Sequence, residues 1–273
     1  MVTFSAEQVT PHVKRISDGS DVCEYLVEGD TGALLIDTGY GIGDLRGFIE
    51  SIVSTPYEVM CTHGHVDHAP GVGQFDAAYL HVDDFDLYLR HADEALRRAH
   101  LDSFPDHQEE VTANGMVPPC PEVLKPLDPE HVFDLGGVHV HLIAVPGHTA
   151  GMVVPIVEED RLVNFGDACG VGTLLNLDES TTIERYLDSL RNLAAHEDEW
   201  EIVVRQHGTC SSTKAILHDN IELCEQILAG TDARQQIESH GRTAYAAAQM
   251  DETTGARTDG REGNIFYAIE KIR

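Results

Sequence analysis

The chain has 273 residues, of which 18 are Lys or Arg and 47 are Asp or Glu, for a formal net charge of −29. Such a surface repels a phosphate backbone, and nucleic-acid affinity rests largely on cations that neutralise phosphates, so no nucleic-acid partner is expected. The hydrophobic share of 42% excludes wholesale disorder, and a chain of this length builds a large core without covalent staples.

Short β-type runs at 13–16, 22–28 and 33–37 are split by the turn residues Asp18-Gly19-Ser20 and Gly29-Asp30-Thr31-Gly32. A helix is expected at 44–53, where apolar residues stand at 45, 48, 49, 52 and 53. The run 57–62 reads as a buried strand that ends at a His-rich loop. From 83 to about 108 the pattern is helical and highly charged, with Leu87, Leu89, Leu96 and Leu101 as its apolar contacts. The proline-rich stretch 114–129 reads as a loop. Strands resume at 138–145, 152–157 and 161–165, the last two joined by Glu158-Glu159-Asp160. A helix at 183–195, a strand at 201–205 and a helix at 213–229 follow. The run 234–250 is expected to be a further helix, and 264–269 a closing strand. No linker stands out, so the chain reads as one domain over 1–273 with a helical, Pro-rich insertion at about 83–128.

Six cysteines, at 23, 61, 120, 169, 210 and 224, form no CxxC pair and read as reduced thiols. The first ten residues show neither a basic n-region nor an apolar h-region. No run approaches the roughly 18 apolar residues of a membrane span, so a cytoplasmic protein with no membrane partner is expected.

One segment carries most of the chemistry. Thr62-His63-Gly64-His65-Val66-Asp67-His68 places four ligand-type side chains within six residues, directly after an apolar strand. Neutral imidazoles suit Zn²⁺ and Fe, and carboxylates complete or bridge such sites. His63 and His65, one residue apart in an extended loop, project to the same side and can share one ion. Asp67 and His68 can then face a second. Two ions need more ligands, and three more stand at the ends of β-type runs beside glycines: His148 in Gly147-His148-Thr149, Asp167 in Gly166-Asp167, and His207 in His207-Gly208.

This ordered set, with Leu34-Leu35-Ile36-Asp37-Thr38-Gly39 before it, resembles the metallo-β-lactamase superfamily over nearly the whole chain. The resemblance implies an α/β fold, an αββα sandwich of two mixed β-sheets flanked by helices, with a metal site at one sandwich edge. It implies one ion on His63, His65 and His148, a second on Asp67, His68 and His207, and Asp167 bridging them. Asp37 would orient a ligand, as carboxylates beside metal-bound histidines commonly do. The cofactor would be two divalent ions, Zn²⁺ first, with Fe or Mn as alternatives.

The activity implied is hydrolysis by a metal-bound hydroxide, with Asp67 as the catalytic carboxylate that orients the hydroxide or takes its proton. The substrate expected is a small ester, thioester or lactone. A basic cluster that would serve a glutathione thioester is missing. The alternatives are a phosphodiesterase, disfavoured by charge, and a di-iron redox protein of the same fold, whose motif carries Glu where this chain has His65. The other eleven histidines, His91 and His100 among them, lack this motif context, although His107 lies within reach if the insertion folds over the site. Tyr40, Tyr88 and Phe104 read as core or lid packing. The insertion reads as a lid that sets substrate choice or as a homodimer contact, and the sequence does not separate the two.

Overall fold

The structure, a computed structural model, describes residues 2–102, 115–239 and 241–273. Phe104 and His107, and the part of the expected insertion at 103–114, lie outside the described residues. Contacts gather into two compact units. The first comprises Met1–Leu142, Val157–Asp160 and Gln206–Gly208, and the second Ile143–Ile156, Arg161–Arg205 and Thr209–Arg273.

The first unit is built on a seven-stranded mixed sheet whose spatial order follows the chain. Its strands are β1 (Ser5–Gln8), β2 (Val13–Ser17), β3 (Cys23–Glu28), β4 (Ala33–Ile36), β5 (Tyr57–Met60), β6 (Ala78–Leu80) and β7 (Leu124–Pro126). Strands β1 to β4 pair antiparallel through tight turns, as the turn residues at 18–20 and 29–32 predict. From β4 to β7 the pairing is parallel, which requires crossovers. The crossover from β4 to β5 contains α1 (Leu45–Ile52), whose first turn is capped by the Asp44 carboxylate accepting from Gly47 N at 2.9 Å. Leu45 and Ile49, one turn apart, are its buried residues and join Ile16, Leu26, Leu35 and Val59 in one apolar cluster. Each such fully buried side chain contributes about 1.5–3 kcal/mol by leaving water. Helices α2 (Phe85–His91) and α3 (Glu94–Leu101) lie between β6 and β7 and meet the helical expectation there. Tyr40 and Tyr88 are fully buried, as core residues should be. Short β8 (Phe133–Asp134) pairs with the start of β9 (His139–Ala144).

The parallel pairing of β4 with β5 positions the site. Ile36 lies opposite Met60 at the carboxyl ends of both strands. Asp37 and the His-rich loop therefore leave the sheet at the same edge, and Asp37 N donates to Met60 O at 2.8 Å.

The second unit contains β10 (Val153–Val157), β11 (Leu162–Asn164), β13 (Ile202–Val204) and β14 (Ser211–Ser212), in the spatial order β14-β13-β11-β10. A four-stranded sheet joins β12 (Thr173–Leu175), β15 (Gln235–Ser239), β16 (Arg242–Ala246) and β17 (Ile265–Tyr267) in the order β12-β17-β16-β15. Helices α4 (Ile183–Ala194) and α5 (Ala215–Ala229) supply Leu187, Leu190, Leu217 and Leu223 to the core around Phe165 and Trp200. The expected helix at 234–250 is corrected to a hairpin of β15 and β16, with Ile237 opposite Ala244. The alanines at 244, 246, 247 and 248 favour a helix locally, but Ala244 and Ala246 are buried while Thr243 is exposed and Tyr245 only half-buried. That period of two belongs to a strand, and Gly241, at φ +71°, makes the turn. Among the described residues no helix is long and apolar enough to cross a membrane.

Candidate metal centre

The first unit holds five of the seven expected ligands and Asp37. Asp37 is wholly buried and sits at φ 67°, a conformation uncommon for any residue but glycine. Its carboxylate accepts from Thr62 N at 2.6 Å and Thr62 Oγ1 at 2.8 Å. It also accepts from His68 Nδ1 at 2.8 Å and Gln206 Nε2 at 2.5 Å. An ionised carboxylate only accepts, so the His68 proton stands on Nδ1 and Nε2 presents a lone pair.

The same accounting fixes His207. Its Nδ1 lies 3.0 Å from the Asp21 carbonyl oxygen, which can only accept, so Nδ1 carries the proton and Nε2 a lone pair. The two Nε2 atoms stand 3.3 Å apart. Asp67 completes a triangle, with Oδ2 at 3.4 Å from His207 Nε2 and Oδ1 at 3.7 Å from His68 Nε2. Two imidazole lone pairs and a carboxylate that converge in this way suit a cation. A proton serves two of the three groups. A zinc ion about 2.0–2.2 Å from each donor would serve all of them, because such donors stand about 3.3–3.6 Å apart, close to the 3.3 Å between the two Nε2 atoms and the 3.4 Å from His207 Nε2 to Asp67 Oδ2.

His63 and His65 form a second pair of donors. The single hydroxyl hydrogen of Thr62 goes to Asp37, so Thr62 Oγ1 accepts from His63 Nδ1 at 3.0 Å. His63 Nε2 then points at His65 Nδ1, 3.1 Å away. The loop itself is held by Gly64 N donating to the buried Asp84 carboxylate at 2.9 Å.

The second unit holds the other two. His148 Nδ1 donates to the Leu174 carbonyl at 2.9 Å, which leaves Nε2 facing Asp167 Oδ2 at 3.5 Å. Ser180 Oγ pins the His148 carbonyl at 2.9 Å. His63, His68, His148 and His207 thus all present Nε2, and each is oriented by an acceptor at Nδ1, the arrangement expected of metal-bound imidazoles.

Sequence reasoning missed several residues that shape this centre. Thr62 and Gln206 orient Asp37, and each adjoins a motif residue, which is the only signal the sequence offers for them. His91, read as having no role, stacks on His65 with ring centroids 5.0 Å apart and an interplanar angle of 18°. Glu24 is buried on β3, and a Cβ on Gly39 would stand 2.4 Å from its Oε1. Burial first, then the neighbouring Asp18 and Asp37, pushes its carboxyl well above the usual carboxylate range.

Comparison with known proteins bears on this arrangement. Residues 25–207 match the Metallo-beta-lactamase superfamily, and the chain belongs to that superfamily. A metallo-β-lactamase from Pontibacter korlensis superposes with a TM-score of 0.58 at 16% identity, over 82% of this chain and 99% of that one. An archaeal metallo-β-lactamase superfamily protein from Sulfolobus tokodaii gives 0.54 at 18% identity, over 87% and 91%. The fold is therefore the α/β metallo-β-lactamase fold with mixed sheets and helices. An uncharacterised protein of Mycobacterium tuberculosis is 27% identical over 125 residues, 45% of this chain and 54% of its own length. Acyl-coenzyme A thioesterase MBLAC2 of Bos taurus is 26% identical over 191 residues, 62% of this chain and 66% of its own length. The match thus spans between about half and two thirds of these relatives.

Proposed function

We propose that this chain is a dinuclear metal-dependent hydrolase of a small ester, thioester or lactone. The observation that carries the reading is the triangle of His68 Nε2, His207 Nε2 and Asp67, in which two pinned tautomers turn lone pairs toward one point. His63 and His65 would hold one ion, and these three residues a second. Superfamily membership also implies His148 and Asp167 as ligands, and His148 presents Nε2. Bound divalent ions supply Lewis acidity that polarises an electrophilic oxygen and makes water acidic near neutral pH, and Zn²⁺ suits this nitrogen and oxygen donor set best.

The chain's own residues do the rest. Asp37 holds the His68 proton on Nδ1. The Asp21 carbonyl does the same for His207. Asp67 would orient the attacking water or take its proton. A carbonyl substrate is favoured over the phosphodiester backbone of a nucleic acid because a net charge of −29 repels it. The thioester class is supported by the name of the bovine relative.

The test measures metal content and turnover on one sample, with nitrophenyl esters, acyl thioesters, lactones and bis-p-nitrophenyl phosphate. The expected result is two ions per chain and turnover of a carbonyl substrate. Asp67→Ala should retain one ion and lose turnover by about 100-fold or more. Full activity in exhaustively chelated protein refutes the metal reading. Turnover of the phosphodiester alone replaces the carbonyl reading with a phosphodiesterase.

A further inference from the structure

The second-ion ligand His207 is oriented from its far side by a chain of polar contacts that ends on α3. His207 Nδ1 donates to the Asp21 carbonyl, and the Asp21 side chain accepts at Oδ1 from the Tyr40 hydroxyl at 2.9 Å. The phenolic oxygen is in turn 2.9 Å from His100 Nδ1. Because the Tyr40 hydrogen is used on Asp21, the His100 Nδ1–H is the donor in that contact.

Helix α3 holds Tyr40 a second time. Arg97, three residues before His100 and so on the same helix face, donates from Nη1 to the Tyr40 carbonyl at 3.0 Å and from Nη2 to the Val117 carbonyl at 2.7 Å. The Arg97 side chain is wholly buried, and burial lowers its pKa from the ordinary arginine value. A buried guanidinium spent on two carbonyls is costly to place, so it marks a position at which Tyr40 is held with little freedom. Around these contacts Tyr40, Val22, Ile42, Leu101 and Val66 form one apolar cluster. Val66 belongs to the His-rich loop itself, and Val22 bridges to His207 through the backbone.

We propose that α3 is a positioning element for the second metal ion, in which His100 and Arg97 fix Tyr40, Tyr40 fixes Asp21, and Asp21 sets the orientation and tautomer of His207. The proposal rests on the metal-centre reading above and deepens it. His100 acts through Tyr40 and touches neither ion nor substrate. The role follows from direction: the His100 Nδ1–H, the Tyr40 hydroxyl and the His207 Nδ1–H are each committed, so removing one hydrogen bond lets the 18–22 turn drift and releases His207 from its Nε2 presentation. His63 and His65 lie outside this chain of contacts, so the ion they hold should be insensitive to it.

The experiment titrates Zn²⁺ into metal-depleted whole protein against a chromophoric chelator. A parallel titration with Co²⁺ reads the ligand field of each ion from its visible spectrum. Tyr40→Phe keeps the ring in its apolar cluster and removes only the hydroxyl. It should weaken one of the two ions about tenfold or more and alter the spectrum of that ion alone. His100→Ala should shift the same ion in the same direction. His100→Asn, whose side-chain N–H stands near the position of Nδ1, should restore it, which a merely space-filling role for His100 would not do. Near-ultraviolet circular dichroism checks that each variant is folded. Wild-type protein that takes two ions, with folded Tyr40→Phe matching it within twofold at both, overturns the proposal and leaves the metal centre standing. Equal weakening of both ions also overturns it. Wild-type protein that takes no ion overturns the metal centre, and this proposal with it.

Discussion

Asp37→Asn isolates the step in which a carboxylate decides where a proton sits. Asparagine keeps the shape but offers one acceptor oxygen in place of two. The native oxygens receive four donors, from Thr62 N, Thr62 Oγ1, His68 Nδ1 and Gln206 Nε2. With the amide oxygen kept on Thr62 N, the new NH₂ meets three donors. The Thr62 hydroxyl can rotate away and the Gln206 amide can flip. His68 can relieve the clash only by moving its proton to Nε2, the atom that stands 3.3 Å from His207 Nε2. An ion must then displace that proton before it can bind. A hydrogen bond to a charged group is worth about 1.5–3 kcal/mol, which corresponds to a loss of about 10–100-fold in affinity for the ion at Asp67, His68 and His207. A chelator-competition titration of folded wild type and variant reads this directly. Affinities within twofold of each other would show that Asp37 does not set the His68 tautomer.

Two further predictions concern stability. Glu24 has a folded pKa raised above its ordinary 4.5, so the folded chain holds a proton that the unfolded chain releases. The stability from this group is complete below pH 4.5 and falls by up to about 1.4 kcal/mol per pH unit as pH rises toward the folded value. Glu24→Gln removes that dependence, so urea midpoints should move in the variant's favour from pH 5 to pH 7, and parallel curves would contradict it. Gly71→Ala would put a Cβ 2.1 Å from the Thr38 carbonyl oxygen. It should cost about 1–3 kcal/mol by denaturant titration, and a loss under about 0.5 kcal/mol would mean that the backbone there yields.

The parts of the molecule legible in the sequence are those whose signal is local. The His-rich loop, the Gly-flanked His148, Asp167 and His207, and the α1 cap at Asp44 all announce themselves within a few residues. The hairpin 235–246 does not, because the alanines from 244 onward carry strong helix propensity and only pairing of β16 with β15 and β17 overrules it. Strands β6 and β7 are three residues each and too short to show a period. At the site, Gln206 was hidden because its partner Asp37 is 169 residues away. His100 carries no signal in the sequence, because its contact with Tyr40 exists only once α3 has packed.

With the proposed ions bound, the Asp37 site would also govern how long a chain survives. Its carboxylate meets groups 25, 31 and 169 residues distant in sequence, so no partly unfolded form that separates these segments retains the site. An ion bound there recognises the folded state alone, and at 100 times its dissociation constant adds about 2.7 kcal/mol to stability. That is a factor of about 100 in the population open to proteases. Metal supply would then control abundance: chains that fill would be spared, and chains that fail to fill would be cleared first.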